Sequence, residues 1–142
     1  MSHVVQVKTT LNNLGLIKAA LKTVLGLSYT DTENTLVRMW GSRTAPAELI
    51  INLPRYDIGL NKDVDGNYTM ICDHYAWSEL ARQKSLSKYP KQNFNSVGFT
   101  GVLTQAVNIV KATLLADAQG DKITFGEPDT NGIIHAEVVQ AA

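Results

Sequence analysis

Valine and threonine recur from His3 to Thr10 with a weak alternation of apolar and polar positions, which predicts a strand. Asn12 or Asn13 then offers a side-chain oxygen to cap a helix. Leu14, Ile17, Leu21 and Val24 follow at helical spacing, and Gly26 supplies a left-handed stop. Residues 29–32, 35–40 and 48–53 read as short strands interrupted at Gly41-Ser42 and Ala45-Pro46. Residues 58–62 and 68–72 flank Asp63-Val64-Asp65-Gly66-Asn67, and Asp-Gly between apolar runs is a hairpin signal. Residues 77–84 read as a short helix or an irregular stretch. Residues 85–98, punctuated by Ser, Pro, Asn and Gly, read as an irregular connection.

A second long helix follows. Thr100 is its expected cap, Leu103, Ala106, Val107, Val110 and Leu114 form its apolar stripe, and Gly120 ends it. Residues 122–125 and 133–139 are the last strands, with Asn131-Gly132 as a further hairpin signal. The sum is one α+β domain over residues 1–142: a mostly antiparallel sheet with two main helices packed on one face. The expected core is Val5, Val7, Leu14, Ile17, Leu21, Val24, Ile50, Ile58, Met70, Val107, Val110, Leu114, Ile123, Phe125, Ile134 and Val138. Ile17 to Leu21 and Val110 to Leu114 look alike, as two amphipathic helices feeding strands do without any duplication.

Composition supports a folded chain. With 44% apolar and 18% charged residues and no net charge, its 142 residues are not those of a disordered segment. The single Cys72 excludes an internal disulfide framework. No apolar run approaches the ~18 residues of a membrane span, and the first residues lack the charged and apolar regions of a signal peptide. The expectation is a cytoplasmic protein with no membrane association.

Charge, neutral in sum, is segregated along the chain. Residues 80–116 carry Arg82, Lys84, Lys88, Lys91 and Lys111 and no acid. Residues 117–142 carry Asp117, Asp121, Glu127, Asp129 and Glu137 against Lys122. Such segregation suits an anionic partner, self-association through the acidic segment, or a basic loop balanced in space by that segment.

Several of these residues resemble one family. They are Met1-Ser2-His3 with Lys8-Thr9 and a Leu-rich helix, and Tyr56-Asp57-Ile58-Gly59-Leu60 with Asp65-Gly66-Asn67-Tyr68. Cys72-Asp73-His74-Tyr75, the C-terminal helix with Gly120, and Asn131-Gly132 complete the order. Together they resemble the hypothetical chloroplast reading frame 35 family, also called domain of unknown function 1257. Where that family tends to carry two tryptophans after the aspartate, this chain has His74 and Tyr75. The resemblance implies a small α+β fold, and a plastid stroma location if the chain is plastid-encoded. It implies no activity and no catalytic residues.

Candidate chemistry is sparse. Asp63, Asp65 and Asn67 alternate like a calcium loop, but Gly66 comes early and position 72 is Cys rather than Glu, so a turn is the better reading. His3, Asp57 and Asp73 are the polar cluster that folding could assemble. No catalytic residue, metal ligand set or cofactor is assigned. Gly98-Phe99-Thr100-Gly101 before a helix suits an anion but lacks the Lys of a phosphate loop. Arg82, Lys84, Lys88 and Lys91 interleave with Tyr89 and Phe94, as in nucleic-acid binders, although those usually have a basic balance. Trp40, Trp77 and Phe99 are core residues or contact anchors. The first and last strands are candidates for open edges.

The function favoured is a non-catalytic binding or adaptor module with a protein partner or a second copy of itself. A binder or hydrolase of a small anionic ligand such as a nucleotide is the alternative, with Arg82, Lys84, Lys88, Lys91, Gly98 and Gly101 as its residues. A nucleic-acid binder comes third.

Overall fold

The computed structural model describes residues 4–140. In chain order it contains β1 (Val4–Lys8), α1 (Leu14–Ala19), β2 (Tyr29–Thr30), β3 (Leu36–Arg38), β4 (Thr44–Pro46), β5 (Leu49–Ile51), β6 (Ile58–Lys62) and β7 (Tyr68–Asp73). It continues with α2 (Ala76–Ala81), α3 (Ser96–Gln119), β8 (Lys122–Phe125) and β9 (Ala136–Val139). Five strands make an antiparallel sheet in the order β1-β7-β6-β5-β2. β3–β4 and β8–β9 are separate two-stranded ribbons. The fold is α+β with both main helices on one face of the sheet, as the patterning predicts.

Register decides which residues face the helices. Val5 pairs with Cys72, Val7 and Leu60 with Met70, Ile58 with Cys72 and Ile51, and Leu49 with Leu60. Side chains at paired positions share a face. These residues therefore form one apolar surface, and it packs on Ile17, Leu21 and Leu25 and on Phe99, Leu103 and Val107 of α3. The Asp63–Asn67 segment is the expected hairpin turn. Asp63 and Asn67 are bonded across it, Asp63 Oδ1 accepts from the Asp65 and Asn67 amides, and Gly66 holds the positive φ of 83°.

The opposite face carries Ile50, Gly59 and Ile71, which pair with one another across the sheet. The β3–β4 ribbon lies over it, and Val37, Met39 and Ile50 form a second small core. Gly59 makes this third layer possible. A Cβ there would stand 2.4 Å from Val37 Cγ2 and 2.8 Å from Ala47 Cβ. Residues 35–40, read from the sequence as another strand, thus form a cross-layer and not a sheet neighbour. Ile50, expected in the main core, is buried in this second one.

The α1 cap is as expected, and helix boundaries differ from the patterning in two places. Asn13 caps α1, its Oδ1 accepting from the Leu16 amide. After Ala19 the helix widens into a π turn over Ala20–Val24, with the Leu25 amide bonded to the Ala20 carbonyl. The widened turn shifts the phase of the stripe, so Leu25 is fully buried while Val24 is half-buried; Leu14, in the first turn, is also half-buried. Asn95, not Thr100, caps α3. Its Oδ1 accepts from the Gly98 amide at 2.7 Å, and Thr100 bonds back to the Ser96 carbonyl from inside the helix. The irregular connection therefore stops at Asn95 and holds short 3-10 turns at Lys84–Leu86 and Lys91–Asn93.

At 1.5 Å per residue α3 spans about 36 Å, roughly twice the length of a five- or six-residue strand at ~3.3 Å per residue. Its first half is buried under the sheet, and its second half overshoots and meets β8. Leu114 and Val138, both expected in the core, are consequently more than half exposed, as is Leu115. Ile123 and Phe125 are half-buried. By length and composition α3 is apolar enough to cross a bilayer, although no single run is. A third of that apolar stretch is buried, at residues such as Phe99, Val102, Leu103, Ala106 and Val107.

Gly59→Ala should destabilise the protein by roughly 1–3 kcal/mol through overpacking of the ribbon against the sheet. Gly101→Ala, on an open part of α3 with nothing within 4 Å of the new Cβ, should stabilise it by up to about 1 kcal/mol. Chemical denaturation of the two variants checks both signs.

Candidate functional site

Three buried carboxylates organise one end of the sheet. The pairing of Ile58 with Cys72, continued one position, sets Asp57 opposite Asp73. Asp57, 3% exposed, accepts from the Arg38 amide and Nε at Oδ2, both at 2.9 Å, and from Arg38 Nη2 at Oδ1, at 2.8 Å. Arg38 also donates to the Leu53 and Pro54 carbonyls. The guanidinium thus clamps residues 53–57 to β3, and its own pKa is raised first by the hydrogen bond to Asp57. Asp73, fully buried, accepts from the Trp40 amide at 3.1 Å and the Tyr75 amide at 3.0 Å.

Glu79 is the third, and the sequence reading passed over it. Its position in α2 places it on the buried side with Ala76, Trp77 and Leu80. Oε1 accepts from the Arg55 amide at 3.0 Å and from Arg55 Nε at 3.4 Å, and Oε2 from the Tyr56 amide at 2.8 Å. A sequence signal existed: an acid three positions after Ala76 at helical spacing, followed by Leu80. Asp57 and Asp73 do come together as neighbours, but as anchors of backbone. His3, the third member expected of that cluster, lies outside the described residues. Among the described residues no group of three or more His, Cys, Asp or Glu is arranged to hold a metal.

These anchors hold up the walls of two adjoining pockets, which share Tyr75, Ser78 and Arg82 and are taken together as a cleft. The narrow part, about 270 Å³, is lined by Trp40, Arg55, Tyr56 and Glu79. The wide part, about 590 Å³, is lined by His74, Trp77, Ala81, Lys91 and Phe94. Tyr75, Ser78 and Arg82 border both. Tyr75 stands 6.2 Å from the Tyr56 ring and 4.5 Å from the His74 ring, the latter edge-on. The Arg55 guanidinium lies 6.0 Å from the Tyr56 ring centroid. Trp40 is 48% exposed and Trp77 is buried at 8%.

The remaining candidates fall elsewhere. Lys88 Nζ pairs with Glu127 Oε1 at 2.8 Å, both side chains exposed, so part of the basic segment is balanced by the acidic one. Gln92 and Gln105 bond to the Thr130 and Gly132 carbonyls and bring the same acidic segment against the start of α3. Lys84 sits on an exposed turn. Gly98 is inside α3, where a Cβ would meet the Asn93 and Gln92 backbone at 2.8 Å. It serves close packing, and its amide is already taken by Asn95. Gly101 is exposed on the same helix. Phe99 is fully buried. β1 and β2 are the edges of the main sheet.

Cys72 is in the core, and burial first, then Asp73, pushes its thiol up to about 12. A thiolate is the reactive form, so alkylation of the native protein at pH 8 should be negligible and should become complete in denaturant, as followed by mass spectrometry. Glu79→Ala leaves the Arg55 and Tyr56 amides without acceptors and should cost about 1–3 kcal/mol, read from the denaturation midpoint.

Comparison with known proteins finds no match among family models, curated proteins or solved structures.

Proposed function

We propose that this protein is a non-catalytic binding module and that its recognition surface is the cleft around Arg82, with an anionic ligand. The observation that carries the reading is the charge of the cleft lining. Arg55, Arg82 and Lys91 line it, and among the described residues Glu79, paired with Arg55, is the only acid that does. Both Glu79 oxygens accept bonds from the Arg55–Tyr56 segment. The side chains of Arg82 and Lys91 make no ion pair with any described residue, so their charge is available to a ligand. Fixed cations in a concave surface attract anions at long range. Arg also supplies a planar fork matched to carboxylate and phosphate.

Support for a binding role over a catalytic one comes from how the reactive groups are used. Asp57, Asp73 and Glu79 all accept backbone amides. Cys72 is buried and its thiol pKa is raised. The expected basic segment is represented in the cleft by Arg82 and Lys91 only. Tyr56 comes from the segment on which the resemblance to the chloroplast reading frame 35 family rests, and we extend the proposal to membership of that family.

Pyrophosphate should raise the melting temperature of the protein, by an amount that grows with the logarithm of its concentration. The double change Arg82→Glu/Lys91→Glu should abolish that shift, while Lys84→Glu, outside the cleft, should preserve it. An equal shift in the double variant and the unchanged protein would overturn the reading.

A further inference from the structure

The two parts of the cleft differ in a way that specifies more than charge. The wide part is mostly apolar and aromatic, with Trp77, Phe94 and Tyr75 around the small side chain of Ala81. Its volume lies within the ~300–1,000 Å³ of small-molecule sites. The narrow part is too small for such a ligand by the same measure, and polar groups dominate its lining. Arg82 stands on the border and serves both. A ligand that fills the whole cleft must therefore present a flat apolar group to one side and a small anionic group to the other.

We infer that the cleft binds a nucleoside phosphate, its base stacked in the wide part and its phosphate on Arg82, reaching towards Arg55. The inference rests on the anionic reading above and adds the ring. Aromatic faces accept any base by stacking, and the loss of one such contact weakens binding by roughly five- to 150-fold. The half-exposed Tyr75 ring is set against the His74 edge and near Tyr56, so it presents a surface already fixed in orientation. Lys91 lines the wide part only and adds to the positive potential that draws an anion to the cleft. Trp77 lines the wide part and Trp40 the narrow one, and they are the chain's two tryptophans. Each half thus carries its own fluorescent reporter.

The experiment titrates the full chain with ADP, pyrophosphate, adenosine and a short single-stranded oligonucleotide, following tryptophan fluorescence and calorimetry. ADP should bind at least fivefold more tightly than pyrophosphate and than adenosine. Tyr75→Ala should bring ADP down towards the level of pyrophosphate, weakening ADP at least fivefold more than pyrophosphate. Arg82→Gln should weaken both phosphate ligands by tenfold or more. Phe94→Leu, which keeps apolar packing but removes a ring, should also narrow the gap between ADP and pyrophosphate and guards against misfolding of the Tyr75 variant. Equal affinity for ADP and pyrophosphate overturns the inference while the anionic reading stands. Adenosine binding as well as ADP overturns both. An oligonucleotide binding much more tightly than ADP overturns the mononucleotide in favour of a single strand.

Discussion

The carboxylate of Asp57 sits where three pieces of backbone meet, and the rest of the cleft end depends on it. Its oxygens take the amide, Nε and Nη2 of Arg38, and the Arg38 guanidinium reaches on to the Leu53 and Pro54 carbonyls. A buried carboxylate is costly unless every lone pair is used. Here the same groups that neutralise it also fix the ribbon and the 53–57 segment relative to the sheet. The Arg38 side chain is half exposed, which lowers the desolvation cost of the pair below that of a fully buried one.

From that anchor the cleft follows. Asp73 places Trp40 on one wall, Glu79 places Arg55 and Tyr56 on another, and α2 brings Tyr75, Ser78 and Arg82 between them. Acidic groups do the structural bonding from inside, and the basic and aromatic groups they hold in place face outward. The arrangement concentrates positive charge on a neutral protein without a long basic run. Elsewhere the acidic C-terminal segment folds back on Lys88, Gln92 and Gln105 and offsets part of the basic stretch.

Local pattern was a good guide wherever one short-range signal decided the structure. The Asp63–Asn67 hairpin, the Asn13 cap and the Gly120 end of α3 were legible because turn and cap chemistry is settled within a few residues. The π turn after Ala19 was not. One widened turn changes which side of the helix faces inward, and periodicity counted at the ordinary pitch misses it. The cap at Asn95 was missed because Thr100 is also a capping residue by type, and its bond back to the Ser96 carbonyl shows it to be inside the helix.

The sequence by itself determined the α+β class, the antiparallel hairpins, the centre of the main core at Ile17, Leu21, Ile58, Met70 and Val107, and the segregation of charge. Each of these is a property of residues near one another in the chain. Tertiary structure alone decided that residues 35–40 cross the second face of the sheet over Gly59, that α3 outruns the strands and leaves Leu114 exposed, and that Glu79 finds the Arg55 and Tyr56 amides. It also decided which cations are spent, Lys88 on Glu127 and Arg55 on Glu79, and which line a cleft without an ion pair to a described residue, Arg82 and Lys91. These outcomes depend on which distant segments meet. A charge or an apolar residue carries no information about its partner until the chain has closed around it.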